Sequence, residues 1–213
     1  LSVASKQEIR SEETRKSITE AASRLFGNKG YESVTMREIA KEAGCSHTTI
    51  YIYFKDKEAL LQELSMPPLL SLFEQIEAAI AREADPDARL KAISMALISF
   101  CLVNRNMFDL FLNVKAGRID EHSPGMEINR LRNQMFGKLA DNVRECLQLS
   151  PQDERILLSA RVYYYALHGI ISTYAHSEES AEQLLERLQV TFLHTFDVML
   201  AGLREMMRKD PDR

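Results

Sequence analysis

Apolar residues recur at three- and four-residue intervals along most of the 213-residue chain, and runs of alternating β-branched residues bounded by tight turns are missing. This pattern predicts an all-α protein. A first helix is predicted over residues 11–26, where Ile18, Ala21, Ala22, Leu25 and Phe26 follow the i, i+3, i+4, i+7, i+8 spacing of one buried face. Gly27 and Gly30 are expected to stop it. Thr35-Met36-Arg37-Glu38 then has the form of a capping box, in which hydroxyl and carboxylate each satisfy an orphan backbone N–H. Ile39, Ala40 and Ala43 form the inward face of this second helix, and Gly44 is expected to end it in the left-handed conformation. Ser46 is placed to cap a third short helix through Phe54. Asp56 caps a fourth, running to about residue 65, where Met66-Pro67-Pro68 predicts an interruption or a kink.

Beyond Pro68 the predicted helices lengthen. Residues 69–83 continue or restart the fourth, and Asp85-Pro86 opens a helix to about residue 104, with proline at its first position. A short apolar segment, 107–114, precedes a polar loop over 115–125. Helices follow at about 126–147, 151–174 (capped by Ser150) and 180–208.

The most informative stretch is the pair of short helices joined through Ala43-Gly44-Cys45-Ser46, the sharp turn of a helix-turn-helix. Ile50 and Phe54, four residues apart, face inward against Ile39, Leu25 and Phe26. The opposite face presents His47, Thr48, Tyr51 and Ile52, with Thr49 and Tyr53 at its margins. Hydroxyls and an imidazole bond to bases or phosphates, and an outward isoleucine suits a thymine methyl group.

Charge sharpens this picture only slightly. Residues 1–57 hold ten Lys/Arg against eight Asp/Glu, whereas the remainder holds 17 against 23, within an overall net charge of −4. A mildly basic head on an acidic body fits a small DNA-binding module attached to a body with another task. The three cysteines, Cys45, Cys101 and Cys146, are far apart and form neither a disulfide framework nor a metal knuckle, which points to a reducing cytoplasm. Residues 1–16 are too polar for a signal-peptide core. The longest uncharged stretches, within 91–105 and 161–178, fall short of a membrane span. No Glu-x-x-His pair, Gly-rich phosphate loop or nucleophile elbow is visible, so an enzyme is not expected and neither is a cofactor or metal.

Residues 14–60 resemble the DNA-binding domain of the TetR family of bacterial repressors. The resemblance is carried by Thr14-Arg15, Ile18, Ala21-Ala22, Leu25-Phe26, Gly30-Tyr31, Thr35-Met36-Arg37, Ile39-Ala40, Ala43-Gly44, Ser46, Thr49-Ile50-Tyr51, Tyr53-Phe54, Lys57 and Leu60. Cys45 stands where the family usually has valine and Ile50 where leucine is commoner, both conservative for packing. The resemblance implies that Thr35, Thr49, Tyr51, Tyr53 and Lys57 anchor phosphates, while His47, Thr48, Arg37 and Ile52 read bases. Ser46 belongs to the same DNA-binding set. Phosphate contacts set affinity and register, and base contacts set sequence preference.

The implied organisation is a three-helix DNA-binding domain over 1–65 and a larger helical ligand-binding and dimerisation domain over 66–213. Family members resembling this chain enclose a small molecule with the middle helices and form a homodimer through the last two. The penultimate helix is apolar or aromatic nearly all round (Tyr163, Tyr164, Tyr165, Leu167, His168, Ile170, Ile171), so it must be covered on several sides. The last helix carries Leu185, Leu188, Phe192, Phe196, Met199 and Leu203 as a stripe suited to bundle packing. Met95, Phe100, Met107, Phe108, Phe111, Met135, Phe136, Tyr164 and His168 are the candidate lining of a pocket for a small hydrophobic or aromatic effector, because methionine adapts to varied ligands and a few polar tips orient one. Plain core packing is the alternative for each. The functional expectation is a cytoplasmic dimeric repressor that binds palindromic double-stranded operator DNA and is released by a ligand. A DNA binder without a small-molecule ligand, acting structurally or through a protein partner, stays open beside it.

Overall fold

The computed structural model describes residues 6–115 and 125–209, and the regular elements among them are helical. They are α1 (Lys6–Lys29), α2 (Met36–Glu42), α3 (His47–Tyr53), α4 (Lys57–Arg82), α5 (Pro86–Val103), a 3₁₀ turn (Arg105–Met107), α6 (Phe108–Leu112), α7 (Glu127–Cys146), α8 (Arg155–Tyr174) and α9 (Ala181–Lys209). None of the described helices is long and apolar enough to cross a membrane. The described residues form two compact units, one of 6–69 with 106–115, the other of 70–105 with 125–209.

In the first unit α2 packs against both α1 and α3. Ile18, Ala21, Ala22, Phe26, Ile39, Ile50 and Phe54 are buried together as its core, while Leu25 and Ala43 lie half-buried at the edge. α1 is longer than its apolar pattern because the polar residues on either side are also good helix formers. Gly27 lies inside it, and the stop is Gly30, at φ +77°. The capping box of α2 is formed: Glu38 N–H donates to Thr35 Oγ1 (3.2 Å) and Thr35 N–H donates to Glu38 Oε2 (2.9 Å). Gly44, at φ +70°, closes α2, with the Cys45 N–H donating to the Ala40 carbonyl (2.9 Å) and the Gly44 N–H to that of Lys41 (3.2 Å). Those two bonds turn the chain toward α3.

Of the interruption or kink expected in the fourth helix, the interruption does not occur. α4 runs through Pro67 and Pro68 as one 26-residue helix. Two prolines remove two backbone donors, yet Leu69 and Leu72 are both fully buried, and burial on that scale keeps the helix continuous where local propensity would let it end. The segment 106–115, which the apolar pattern groups with the later helices, clusters with the first unit. Phe108, Leu110 and Phe111 are buried there, Ser23 Oγ lies 3.9 Å from Met107 Sδ, and Lys115 pairs with Glu58 (3.5 Å). Most of the polar loop expected at 115–125 lies outside the described residues.

In the second unit α5 packs against α7, α8 and α9, and α8 against α7 and α9. Tyr163 is the largest fully buried side chain, its hydroxyl 3.0 Å from Ser94 Oγ and its ring 5.8 Å from Phe196. Arg204 of α9 donates to Asp87 (2.6 Å) and to the Cys146 carbonyl (2.9 Å). Arg105 donates to the carbonyls of Ser177 and Glu179 in the α8–α9 connection. Two expectations are corrected here. α8 begins at Arg155 rather than 151, because the Asp153 carboxylate receives the Arg155 N–H (2.9 Å) while the Ser150 carbonyl holds the preceding turn. The inward stripe of α9 is Leu184, Leu188, Phe192, Phe196, Leu200 and Leu203, so Leu185 and Met199 stand at its margin.

Candidate nucleic-acid interface

α3 is seven residues long and buries only Ile50. With its cap residue Phe54 also buried, the helix is fixed by two apolar side chains four residues apart, and its remaining faces point away from the core. His47, Thr48, Tyr51 and Ile52 are exposed, Ile52 by 79%, while Thr49 and Tyr53 are half-buried at the margins. The His47 and Tyr51 rings meet edge-on, 5.2 Å apart at 86°, which orders two large side chains on the outward face. Ser46 caps the helix through the Thr49 N–H (3.0 Å), and its Oγ also lies 2.9 Å from Thr48 Oγ1 and 2.7 Å from Thr49 Oγ1. One serine oxygen thus gathers both threonine hydroxyls at the helix start.

Thr35 and Arg37 are exposed on α2. An open groove of about 430 Å³, lined by Thr35, Arg37, Glu38, Ala40, Lys41, Cys45 and His47, brings the candidate residues of α2 and α3 onto one surface. The Glu38 carboxyl is held below the usual carboxylate range, first by the Thr35 N–H, then by the Thr35 hydroxyl and Lys29. Cys45 is half-buried in the turn, and burial pushes its thiol up.

Two cations support this surface from behind. Arg15 forms a two-pronged ion pair with Glu63 (3.2 and 2.8 Å), and its guanidinium carbon stands 4.8 Å from the Phe54 ring. The role of Arg15 was not singled out from sequence, although a cation three residues before the buried Ile18 was a signal. Lys57, expected among the phosphate anchors, has its ammonium turned onto the carbonyls of Tyr31, Glu32 and Val34.

The candidate ligand residues divide between the two units. Met107, Phe108 and Phe111 belong to the first; Met95, Phe100, Met135, Phe136, Tyr164 and His168 belong to the second. Within the second unit Phe136 and Tyr164 meet edge-on at 5.8 Å, and the His168 ring lies 6.1 Å from that of Tyr164. Phe100, Met135 and Phe136 are buried; Met95, Tyr164 and His168 are half-buried. A residue missed from sequence lies close by. Arg132 of α7 is only 7% exposed, donates to Asn129 Oδ1 (2.8 Å), and is pushed down to about 10 by burial. Its signal was a charge at an apolar-stripe position, four residues from both Ile128 and Phe136.

Comparison with known proteins agrees with this geometry. Residues 18–64, which span the end of α1 through the start of α4, match the family model described as "Bacterial regulatory proteins, tetR family". Over 181 residues the chain is 23% identical to the fatty acid metabolism regulator protein of Bacillus subtilis, covering 72% of this chain and 93% of that one. In fold it is similar to the ketosteroid transcriptional regulator KstR2 of Mycobacterium tuberculosis (TM-score 0.65, 20% identity, 85% of this chain and 93% of that one). It is likewise similar to the regulator FadR of Bacillus subtilis, solved in complex with stearoyl-CoA (TM-score 0.60, 19% identity, 85% of this chain and 96% of that one). Residues 18–64 thus match the DNA-binding domain of the TetR family of bacterial regulators, and they are joined to an all-helical body with the fold of these solved regulators.

Proposed function

We propose that the protein is a dimeric cytoplasmic repressor that binds a palindromic operator through α2 and α3 and leaves it when a hydrophobic effector enters the second unit. The observation that carries the DNA-binding half is the outward face of α3. There an isoleucine 79% exposed stands beside ordered histidine, tyrosine and threonine side chains, a combination that gains from a major groove and little from water. His47, Thr48, Ile52 and Arg37 read base edges; Thr35, Ser46, Thr49, Tyr51 and Tyr53 fix the backbone.

Dimerisation through α8 and α9 is supported by apolar residues left outside the second unit. Leu158, Val162 and Tyr165 are exposed on α8 at four- and three-residue spacing, and Val190 and Val198 on α9. Two-fold pairing also matches two half-sites about 34–36 Å apart. The effector reading is supported by the ring cluster of Phe136, Tyr164 and His168, with Met95, Phe100 and Met135 in the same unit, and by the relatives named as a fatty acid metabolism regulator and a ketosteroid transcriptional regulator and the one solved with stearoyl-CoA. A ligand that prefers the conformation with misplaced recognition helices shifts the population and releases DNA. α4, which carries residues of both units, is the proposed lever.

The test is selection of duplexes from genomic DNA with purified protein, followed by mobility shift at stated salt in the presence of a long-chain acyl-CoA, the free fatty acid or a steroid ketone. A palindromic consensus released by one of these is expected. Absence of enrichment over random DNA would remove the reading, and enrichment with no release by any hydrophobic compound would leave only its DNA-binding half.

A further inference from the structure

We infer that Lys57 is a positioning residue for the recognition helices, holding the turn that leads into α2, rather than a contact to DNA phosphate. This rests on the DNA-binding function proposed above. The ammonium leaves the first turn of α4 and donates to the carbonyl oxygens of Tyr31 (2.8 Å), Val34 (3.0 Å) and Glu32 (3.4 Å). A lysine ammonium has three N–H donors, so these three acceptors occupy all of them. The same nitrogen stands 4.3 Å from the Tyr31 ring centroid, where the ring face attracts a cation.

A phosphate would have to take a donor from one of these carbonyls. The carbonyls belong to a non-helical turn in which Tyr31 and Val34 are buried, and a part-buried carbonyl stripped of its donor is costly. Within the turn itself the backbone bond is long, with the Val34 N–H reaching the Tyr31 carbonyl at 3.4 Å. Lysine also suits the geometry better than arginine. Three carbonyls converging on one point match a compact ammonium, whereas a planar guanidinium spreads its donors along fixed directions.

The consequence for DNA binding follows from chain order. Gly30 ends α1, residues 31–34 form the turn, and Thr35 caps α2 immediately after Val34. Lys57 therefore fixes the direction in which the chain enters α2. The closed turn at Gly44 then transmits that direction to α3.

Lys57→Met keeps the aliphatic stem and removes the ammonium. Its affinity for the operator duplex recovered by selection is measured across salt concentrations, and amide hydrogen exchange of residues 34–38 is measured without DNA. A positioning role predicts an affinity loss of about tenfold at every salt, an unchanged slope of log K against log salt, and faster exchange at residues 34–38. A slope reduced by about 0.9, the signature of one lost phosphate contact, overturns the inference, and so does unchanged exchange. If Lys57→Met fails to fold, the unmodified protein decides. A slowly exchanging Lys57 ammonium resonance in the DNA-free protein, unmoved by operator, supports the clamp, and its absence or its displacement by operator overturns it. Failure to recover any operator would remove the DNA-binding reading, while the exchange and ammonium measurements would still report on the turn.

Discussion

Polar side chains do opposite work in the two units. In the first, the hydrogen bonds that cap the two recognition helices join near neighbours in sequence: Thr35 with Glu38, and Ser46 with Thr48 and Thr49, all within three residues. They shape short helices whose outward face stays open. In the second, polar contacts reach across the fold, as in the buried pair of Ser94 and Tyr163, 69 positions apart, and the surface pair of Asp87 and Arg204, 117 apart. A surface meant for a partner can be written locally, because capping and turn chemistry act over a few residues. An interior that encloses something is written in long-range pairs, and no short motif announces it.

The largest effect that would sharpen this contrast is expected in the second unit. Phe196→Ala removes a fully buried ring packed on Tyr163 and should destabilise the protein by about 3–5 kcal/mol, read by urea denaturation. Tyr51→Ala removes a comparable ring from an exposed face and should leave the urea midpoint nearly unchanged. Equal losses from the two substitutions would break the distinction between a packed interior and a presented surface.

Next in size is a change in DNA preference without a change in fold. Thr48→Ala should alter the selected consensus at one position of each half-site, with discrimination changed by about 1–3 kcal/mol, while affinity for random DNA stays within twofold. An equal loss on operator and random duplexes would place Thr48 among the backbone contacts instead.

A smaller effect is expected at the cap of α2. Thr35→Ala should cost about 1 kcal/mol of stability and speed amide exchange at Glu38. The same box carries a pH signature. Glu38 is held below the ordinary carboxylate range in the folded protein, so its contribution is complete above that range and is lost as pH falls through the lowered value. Asp87, lowered chiefly by its hydrogen bond from Arg204, behaves likewise in the second unit. Melting temperature against pH should therefore fall on the acid side, less steeply in Glu38→Gln and in Asp87→Asn. A limb of unchanged steepness in both would mean that other carboxylates govern acid unfolding.

The smallest expected effect has the opposite sign in the two units. Gly44 takes φ +70° in the first, and Gln148 takes φ +55° just beyond α7 in the second. Gly44→Ala should destabilise by about 1 kcal/mol, whereas Gln148→Gly should stabilise by about 1 kcal/mol or less, since only glycine adopts that region without a steric cost. Thermal melts of the two variants moving in the same direction would count against this account.

The sequence alone determined the helix-turn-helix nearly to the residue. The capping box at Thr35 and Glu38, the turn at Gly44, the cap at Ser46 and the inward pair of Ile50 and Phe54 are all local signals, and each predicted helix of the second unit was also present by its periodicity. Tertiary structure alone decided the rest. It kept α4 continuous through Pro67 and Pro68 because buried leucines outweigh two missing donors, and it grouped 106–115 with the first unit because burial depends on neighbours that periodicity does not name. It moved the inward stripe of α9 by one residue at Leu184. It also turned the Lys57 ammonium onto three carbonyls 23 to 26 positions earlier in the chain, a set of partners that exists only once the fold has brought α4 beside the turn. Spacing specifies what a residue's own helix can bury; which distant group it meets is settled by packing.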